Sequence, residues 1–191
     1  EGTLSRATFD RDGHDATWTP DGRFITYIAP RNEGDGVTLV LMRKPPGSAE
    51  PAETLLASRS LSYTGVWLKD GSALVTTATN VRHDRSRPDS LQADSRTDAA
   101  IIRNAGKGPL EPLVASPFSE QFVGASPDGR WIVFVQCHNG QLMRPDSKLY
   151  IVPFNGGVAR RLHANTPIMN SWHSFSPNGR WLVFSSKARS P

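Results

Sequence analysis

One twelve-residue phrase recurs along the chain and constrains its fold more than any other feature. WTPDGRFITYIA from Trp18 returns as WLKDGSALVTTA from Trp67, as ASPDGRWIVFVQ from Ala125 and as FSPNGRWLVFSS from Phe175. The acid or amide before each glycine falls at positions 21, 70, 128 and 178, in steps of 49, 58 and 50 residues. Repeats of that length belong to solenoids, propellers and arrays, where one supersecondary unit buries its apolar faces against the next copy.

The phrase itself reads as a hairpin. Proline presets φ near about −65° at the first corner of a turn and glycine accepts the positive φ that follows, so Pro20-Asp21-Gly22 reverses the chain. The returning strand, Arg23 to Ala29, carries Phe24, Thr26 and Ile28 on one face and Ile25, Tyr27 and Ala29 on the other. Both faces are largely apolar, which predicts a strand sandwiched between two neighbouring sheets.

Extending this reading gives four strands per unit. In the first unit Ala16 to Thr19 and Arg23 to Ala29 form the hairpin, Pro30 to Gly36 is a polar loop, and Val37 to Lys44 and Ala52 to Ser58 complete the sheet. The second unit runs through Tyr63–Leu68, Ala73–Thr79, Ala99–Asn104 and Glu111–Ala115, with a long polar loop from Asn80 to Asp98 whose composition favours disorder. The third runs through Gln121–Ser126, Arg130–Cys137, Lys148–Phe154 and Val158–His163, and the fourth has only Trp172–Ser176 and Arg180–Ser186. Thr3 to Thr8 reads as a further strand, of a preceding or closing blade. The expected fold is therefore all-β, a single partial β-propeller over 1–191 with about three and a half four-stranded antiparallel blades. Blade boundaries fall near 9–58, 59–116, 117–164 and 165–191, the last incomplete, with 1–8 outside them. Apolar residues nowhere hold the helical spacing for three turns, so almost no helix is expected.

Composition agrees and removes several function classes. The chain is 37% hydrophobic and 21% charged with 16 Gly and 15 Pro, which suits short strands joined by turns. Its net charge of +4 comes from 22 basic and 18 acidic residues spread along the sequence without a basic run, which argues against a nucleic-acid partner. No apolar run approaches the roughly 18 residues of a spanning helix, so no membrane insertion is expected. Cys137, the single cysteine, excludes an internal disulfide framework and leaves the compartment open. The chain starts at Glu1 and stops just past a strand-like segment, and both ends read as cut from something longer.

The repeated (W/F/A)-x-P-(D/N)-G-R-(F/W)-(I/L)-x-(Y/F) pattern resembles the WD40-like blades of the TolB family, which also occur in tricorn-type proteases and in the non-catalytic propeller of prolyl oligopeptidase-like enzymes. Two longer stretches, GTLSRATFDRDGHDATWTPDGRFITYIA and PLVASPFSEQFVGASPDGRWIVFV, resemble the propeller that follows the kinase domain in a group of bacterial serine/threonine protein kinases. The resemblance implies a fold and an attachment to a larger protein. It implies no activity for this chain, which carries no glycine-rich phosphate loop, no H-R-D and no D-F-G.

Asp10, Asp12 and Asp15 alternate as carboxylates of a calcium loop do, but the position six past Gly13 is Thr19 and the flanks read as strands, so they are weak metal candidates. His14, His83, His138, His163 and His173 show no metal-ligating spacing. Cys137 and His138 are neighbours on a strand and point to opposite faces, which rules them out as a nucleophile and base. The tryptophans Trp18, Trp67, Trp131, Trp172 and Trp181 are read as recurring at matching blade positions and are assigned to interblade packing. Arg23, Arg130 and Arg180 are expected to pair with the turn acid or to stack on an aromatic ring. No catalytic residue and no cofactor is expected. The expected function is a non-catalytic protein-interaction or scaffolding module of a larger bacterial protein. Its contact loops would hold Asp10, Asp12, His14 and Asp15, and Arg82, His83 and Arg85 in the long insert. The alternative is the accessory or gating propeller of a kinase or peptidase whose active residues lie elsewhere. The partner would be a protein or peptide, and open sheet edges would favour self-association.

Overall fold

The computed structural model describes residues 6–8, 12–34, 36–79, 96–138 and 144–188. They form three four-stranded antiparallel sheets and one two-stranded sheet, each built from strands consecutive in the chain. The first sheet is β1 (His14–Trp18), β2 (Ile25–Glu33), β3 (Gly36–Lys44) and β4 (Glu53–Ser58). The second is β5 (Val66–Trp67), β6 (Leu74–Thr79), β7 (Thr97–Ile102) and β8 (Leu110–Val114). The third is β9 (Ser119–Ala125), β10 (Trp131–Cys137), β11 (Lys148–Pro153) and β12 (Arg160–Arg161), and the fourth pairs β13 (Asn170–Phe175) with β14 (Leu182–Ser186). Among the described residues the sole helix is the four-residue turn α1 (Arg103–Gly106), in which Asn104 and Ala105 are left-handed.

The recurring phrase closes its hairpin through a small hydrogen-bond circuit. Gly22, Gly71, Gly129 and Gly179 all take positive φ. In the first, third and fourth copies the residue before proline is Thr19, Ser126 or Ser176, and its hydroxyl donates to the turn Asp21, Asp128 or Asn178 at 2.6–2.8 Å. The same hydroxyl oxygen accepts the N–H of Phe24, Trp131 or Trp181 at 3.0–3.1 Å, and the turn carboxylate or amide oxygen also accepts the backbone N–H of the following arginine. The Ser126 hydroxyl and then Arg130 hold the Asp128 carboxyl down at about 2. Leu68 replaces the hydroxyl in the second copy, and there Ser72 supplies both its N–H and its Oγ to Asp70.

Alternation along the central strands divides the core into seams between successive sheets. Leu74 and Ile102 face Ile28, Leu41 and Leu55 of the first sheet, together with Trp67. Their strand neighbours Val75 and Ile101 face Ile132, Phe134 and Val152 of the third sheet. In β10 the intervening Val133 and Val135 turn to the other side and meet Phe175, Leu182 and Phe184 of the fourth. A strand that feeds two seams must be apolar on both faces, the property that marks these strands in the sequence. Polar links cross the seams as well. Trp67 Nε1 donates to Thr26 Oγ1 at 3.0 Å, Thr97 Oγ1 donates to Glu120 O at 2.9 Å, and His173 Nε2 donates to Val133 O at 3.0 Å.

Several expectations need correction. The loop placed at Pro30 to Gly36 is mostly strand: β2 runs on to Glu33 and pairs with β3 through Glu33 and Gly36. The extension is exposed from Pro30 onward, so no apolar alternation announced it. Arg6 to Thr8, the described part of the expected N-terminal strand, are not in a strand, although Ala7 O accepts the Gly47 N–H at 3.3 Å. Tyr63–Leu68 shrinks to Val66–Trp67 and Val158–His163 to Arg160–Arg161. Thr97 and Asp98 belong to β7, and the remainder of the expected long loop, 80–95, lies outside the described residues.

The tryptophans do not share one core role. Trp67 is buried, whereas Trp18, Trp172 and Trp181 are 55%, 46% and 74% exposed. They occupy different positions. Trp18 and Trp67 precede the hairpin, Trp131 and Trp181 follow it, and Trp172 lies at the middle of a first strand. Trp67 has the first sheet to seat in and Trp18 has no described sheet in front of it. Trp131 is covered by the Arg160 guanidinium at 5.5 Å, a residue of β12 for which the two-stranded fourth sheet offers no described counterpart beside Trp181.

Candidate interaction surface on the converging first strands

The first strands of the sheets converge. The Thr64 N–H, just ahead of β5, donates to Asp15 Oδ2 in β1 at 2.5 Å, and the Phe122 ring of β9 contacts the Trp172 ring of β13 at 4.8 Å between centroids. We call the side on which these first strands meet the inner surface. Three of these strands are interrupted in the same way. Register shifts interrupt β1 between His14 and Thr17, β9 opposite Val133–Val135, and β13 between Ser171 and Ser174. At the three breaks Asp15, Phe122 and Trp172 take φ of 54°, 49° and 50°. Each lies six residues before the turn Asp21, Asp128 or Asn178. In the second unit the positive φ falls one position later, at Gly65 (φ 87°), five residues before Asp70, and a Cβ there would lie 2.0 Å from Val75 O.

A bulge re-aims the side chain it carries. Here the result is a cavity of about 160 Å³ on the inner surface, lined by Asp15, Tyr63, Gly65, Thr77, Phe122 and Val123 among others. Tyr63 and Trp172 remain about half exposed beside it, at 49% and 46%. Bulky non-glycine residues in left-handed geometry are uncommon and cluster where a fold stores strain for a purpose.

Of the residues singled out from sequence, Asp12, His14 and Asp15 lie together at the start of β1. His14 Nδ1 donates to Asp12 O at 2.9 Å, and both residues are exposed. Asp15 joins the first unit to the second through Thr64. Asp10, Arg82, His83 and Arg85 lie outside the described residues. No group of three or more metal-ligating side chains occurs among the described residues. Cys137 is buried and His138 is exposed, bonded through Nδ1 to Asp146 Oδ2 at 2.7 Å. Arg130 pairs with Asp128 at 2.7 Å and Arg23 lies over the Phe24 ring at 5.5 Å, the two contacts expected of the turn arginines. Tyr63, Phe122 and Trp172 escaped the sequence reading as a surface. For Phe122 and Trp172 the available signal was the shared six-residue distance to the turn, which Asp15 disguised by being acidic where they are aromatic; Tyr63, seven residues before Asp70, carries no such signal.

A larger concavity, of about 360 Å³, lies between the first two hairpin turns and includes Asp21, Phe24, Arg43, Lys69 and Asp70. All of its described charged groups but Lys69 are already engaged in holding the fold. Asp21 and Asp70 bond their own turns, and Arg43 binds Glu53 at 2.6 Å while lying over Phe24. The inner surface is the better candidate because it displays rings and a carboxylate oxygen that the fold leaves available.

This arrangement of sequential four-stranded sheets, packed face to face with their first strands inward, is a partial β-propeller. No protein-family profile and no curated protein matches the chain. Solved structures do match its fold. A putative TolB from Agrobacterium tumefaciens superposes with a TM-score of 0.68 at 20% identity, over 96% of this chain and 58% of that one. TolB from Acinetobacter baumannii gives 0.61 at 16% identity, over 94% and 39%. Prolyl oligopeptidase B from Galerina marginata, bound to a 25mer macrocyclization substrate, gives 0.61 at 13% identity, over 94% and 26%. The chain therefore spans under two thirds of each of these proteins.

Proposed function

We propose that the chain is a non-catalytic propeller module that binds a protein or peptide partner on the inner surface formed by its first strands, as one part of a larger protein. The observation that carries this reading is the repeated bulge. Asp15, Phe122 and Trp172 hold uncommon left-handed conformations at one register, and two of them line the same concavity with Tyr63. A strand that served packing alone would gain by regular pairing, and the cost of the bulges is explained if the surface they create is used. The test is selection of peptides from a displayed random library on the immobilised chain. Peptides that bind and lose binding with Tyr63→Ala and Trp172→Ala, but not with the control Val158→Ala on an exposed outer loop, support the proposal. Hydrolysis of a peptide or transfer of phosphate by this chain alone would overturn it.

The likeness to prolyl oligopeptidase B favours a second reading, in which the propeller accompanies a catalytic domain and admits a peptide to it. The sequence resemblance to kinase-appended propellers points to attachment of the same general kind. Sequencing the coding region on both sides of this stretch decides between a peptidase, a kinase and a stand-alone propeller.

A further inference from the structure

We propose that the inner cavity takes the side chain of a lysine or arginine presented on an extended peptide of the partner, an inference that rests on the interaction-module reading above. Size comes first. A space of about 160 Å³ is too small for a nucleotide or a cofactor, whose pockets run to several hundred Å³, and suits one long side chain. Charge comes next. Among the described residues Asp15 is the sole charged member of the lining, and it is an acid. Its Oδ2 accepts the Thr64 N–H, and Oδ1 has no hydrogen-bond partner among the described residues.

Those two facts discriminate among occupants. An anionic group would meet the Asp15 charge at close range. An apolar side chain seated against the Asp15 carboxylate would displace water from it without returning a hydrogen bond, a cost that falls on the complex alone. A cation supplies the missing donor and gains from the rings around it. Tyr63 and Phe122 line the cavity and Trp172 lies against Phe122 with its ring half exposed. Aromatic faces beside a carboxylate attract guanidinium and ammonium groups through the ring quadrupole and the charge together. The long methylene stem of either side chain packs along Val66 and Val123, the aliphatic part of the lining.

The experiment uses three acetylated, amidated heptapeptides of glycine and serine whose central residue is arginine, norleucine or glutamate. Binding to this chain is followed through amide NMR shifts of Tyr63, Phe122 and Trp172. The arginine peptide is expected to bind about tenfold or more tighter than norleucine, a difference of about 1.4 kcal/mol, and glutamate not to bind. Asp15→Asn is the matched variant. Asparagine tolerates left-handed φ and keeps an acceptor for Thr64, so the fold is retained while the charge is lost. It is expected to reduce arginine binding about tenfold and not to weaken norleucine binding. A melting temperature checks that the variant folds, and Phe122→Leu, which removes the ring and keeps the charge, gives an independent loss. Equal binding of arginine and norleucine would overturn the cation assignment while leaving the interaction-module reading intact. Absence of binding by all three peptides would overturn the assignment too, and the library selection would then decide the broader reading separately.

Discussion

His173 couples the stability of the seam between the third and fourth sheets to pH. Its Nε2 donates to Val133 O across the seam at 3.0 Å, so the neutral ring carries its proton on Nε2. Nδ1 is buried and has no partner. Protonation would place a cation there with nothing to accept its hydrogen bond. Burial accordingly holds the pKa down from 6.5 to about 4, against the opposing effect of the Val133 bond. The unfolded chain takes up the proton first as pH falls. The stability that this neutral histidine confers is complete above about pH 6.5, declines as pH falls toward about 4, and changes no further below that. A displacement of that size corresponds to about 3 kcal/mol over the window. Urea unfolding followed by tryptophan fluorescence at pH 7.5, 6.5, 5.5, 4.5 and 4 measures the slope. His173→Gln retains a donor for Val133 and does not titrate, so the difference between wild type and variant isolates the group. The difference should shift by about 3 kcal/mol against wild type between pH 7.5 and 4. A flat difference, or one that favours wild type in acid, would refute the argument.

Three further perturbations probe other parts of the fold. Glu120 is fully buried, and burial pushes its carboxyl above the usual range, against hydrogen bonds from Ser116 and Gln136 and with the Asp98 charge adding to the rise. Such a group loses stability as pH rises from the ordinary carboxylate range through its folded pKa, so Glu120→Gln should stabilise the protein at pH 8 relative to pH 4 in urea titrations. Ser126→Ala removes one hydroxyl with two hydrogen bonds from the third hairpin and should cost about 1–2 kcal/mol. The same change should raise the Asp128 pKa toward the normal value, measurable by carboxyl NMR titration. Gly65→Ala places a Cβ 2.0 Å from Val75 O at positive φ and should cost about 3 kcal/mol or more, with a lowered melting temperature as the readout.

Architecture was readable because its causes are local and repeated. Proline, aspartate and glycine make a corner wherever they stand together, and two-faced apolar strands such as Ile25–Ile28 and Ile132–Val135 require a sheet on either side. The Pro30–Glu33 extension was unreadable for the opposite reason. Its residues are polar and exposed, and the pairing with β3 is decided by the partner strand. The tryptophans misled because spacing records recurrence but not surroundings. Trp18 and Trp67 occupy equivalent sites, and only Trp67 has a described sheet to enter. The inner surface depends on backbone bulges, and nothing in the identity of Phe122 or Trp172 announces a left-handed φ. Glycine would have announced it, as Gly65 does in the second unit.

The alternation that splits β6, β7 and β10 between two seams has a mechanical consequence. Among the described residues no common core supports all the sheets; each is held by its immediate neighbours, as links are in a chain. Cohesion in such an array falls from the middle outward. The second and third sheets are gripped from both sides. Among the described residues the β13–β14 pair is held at Phe175, Leu182 and Phe184 while Val183 and Trp181 are exposed, so in this stretch taken by itself that sheet should fray before the centre loosens.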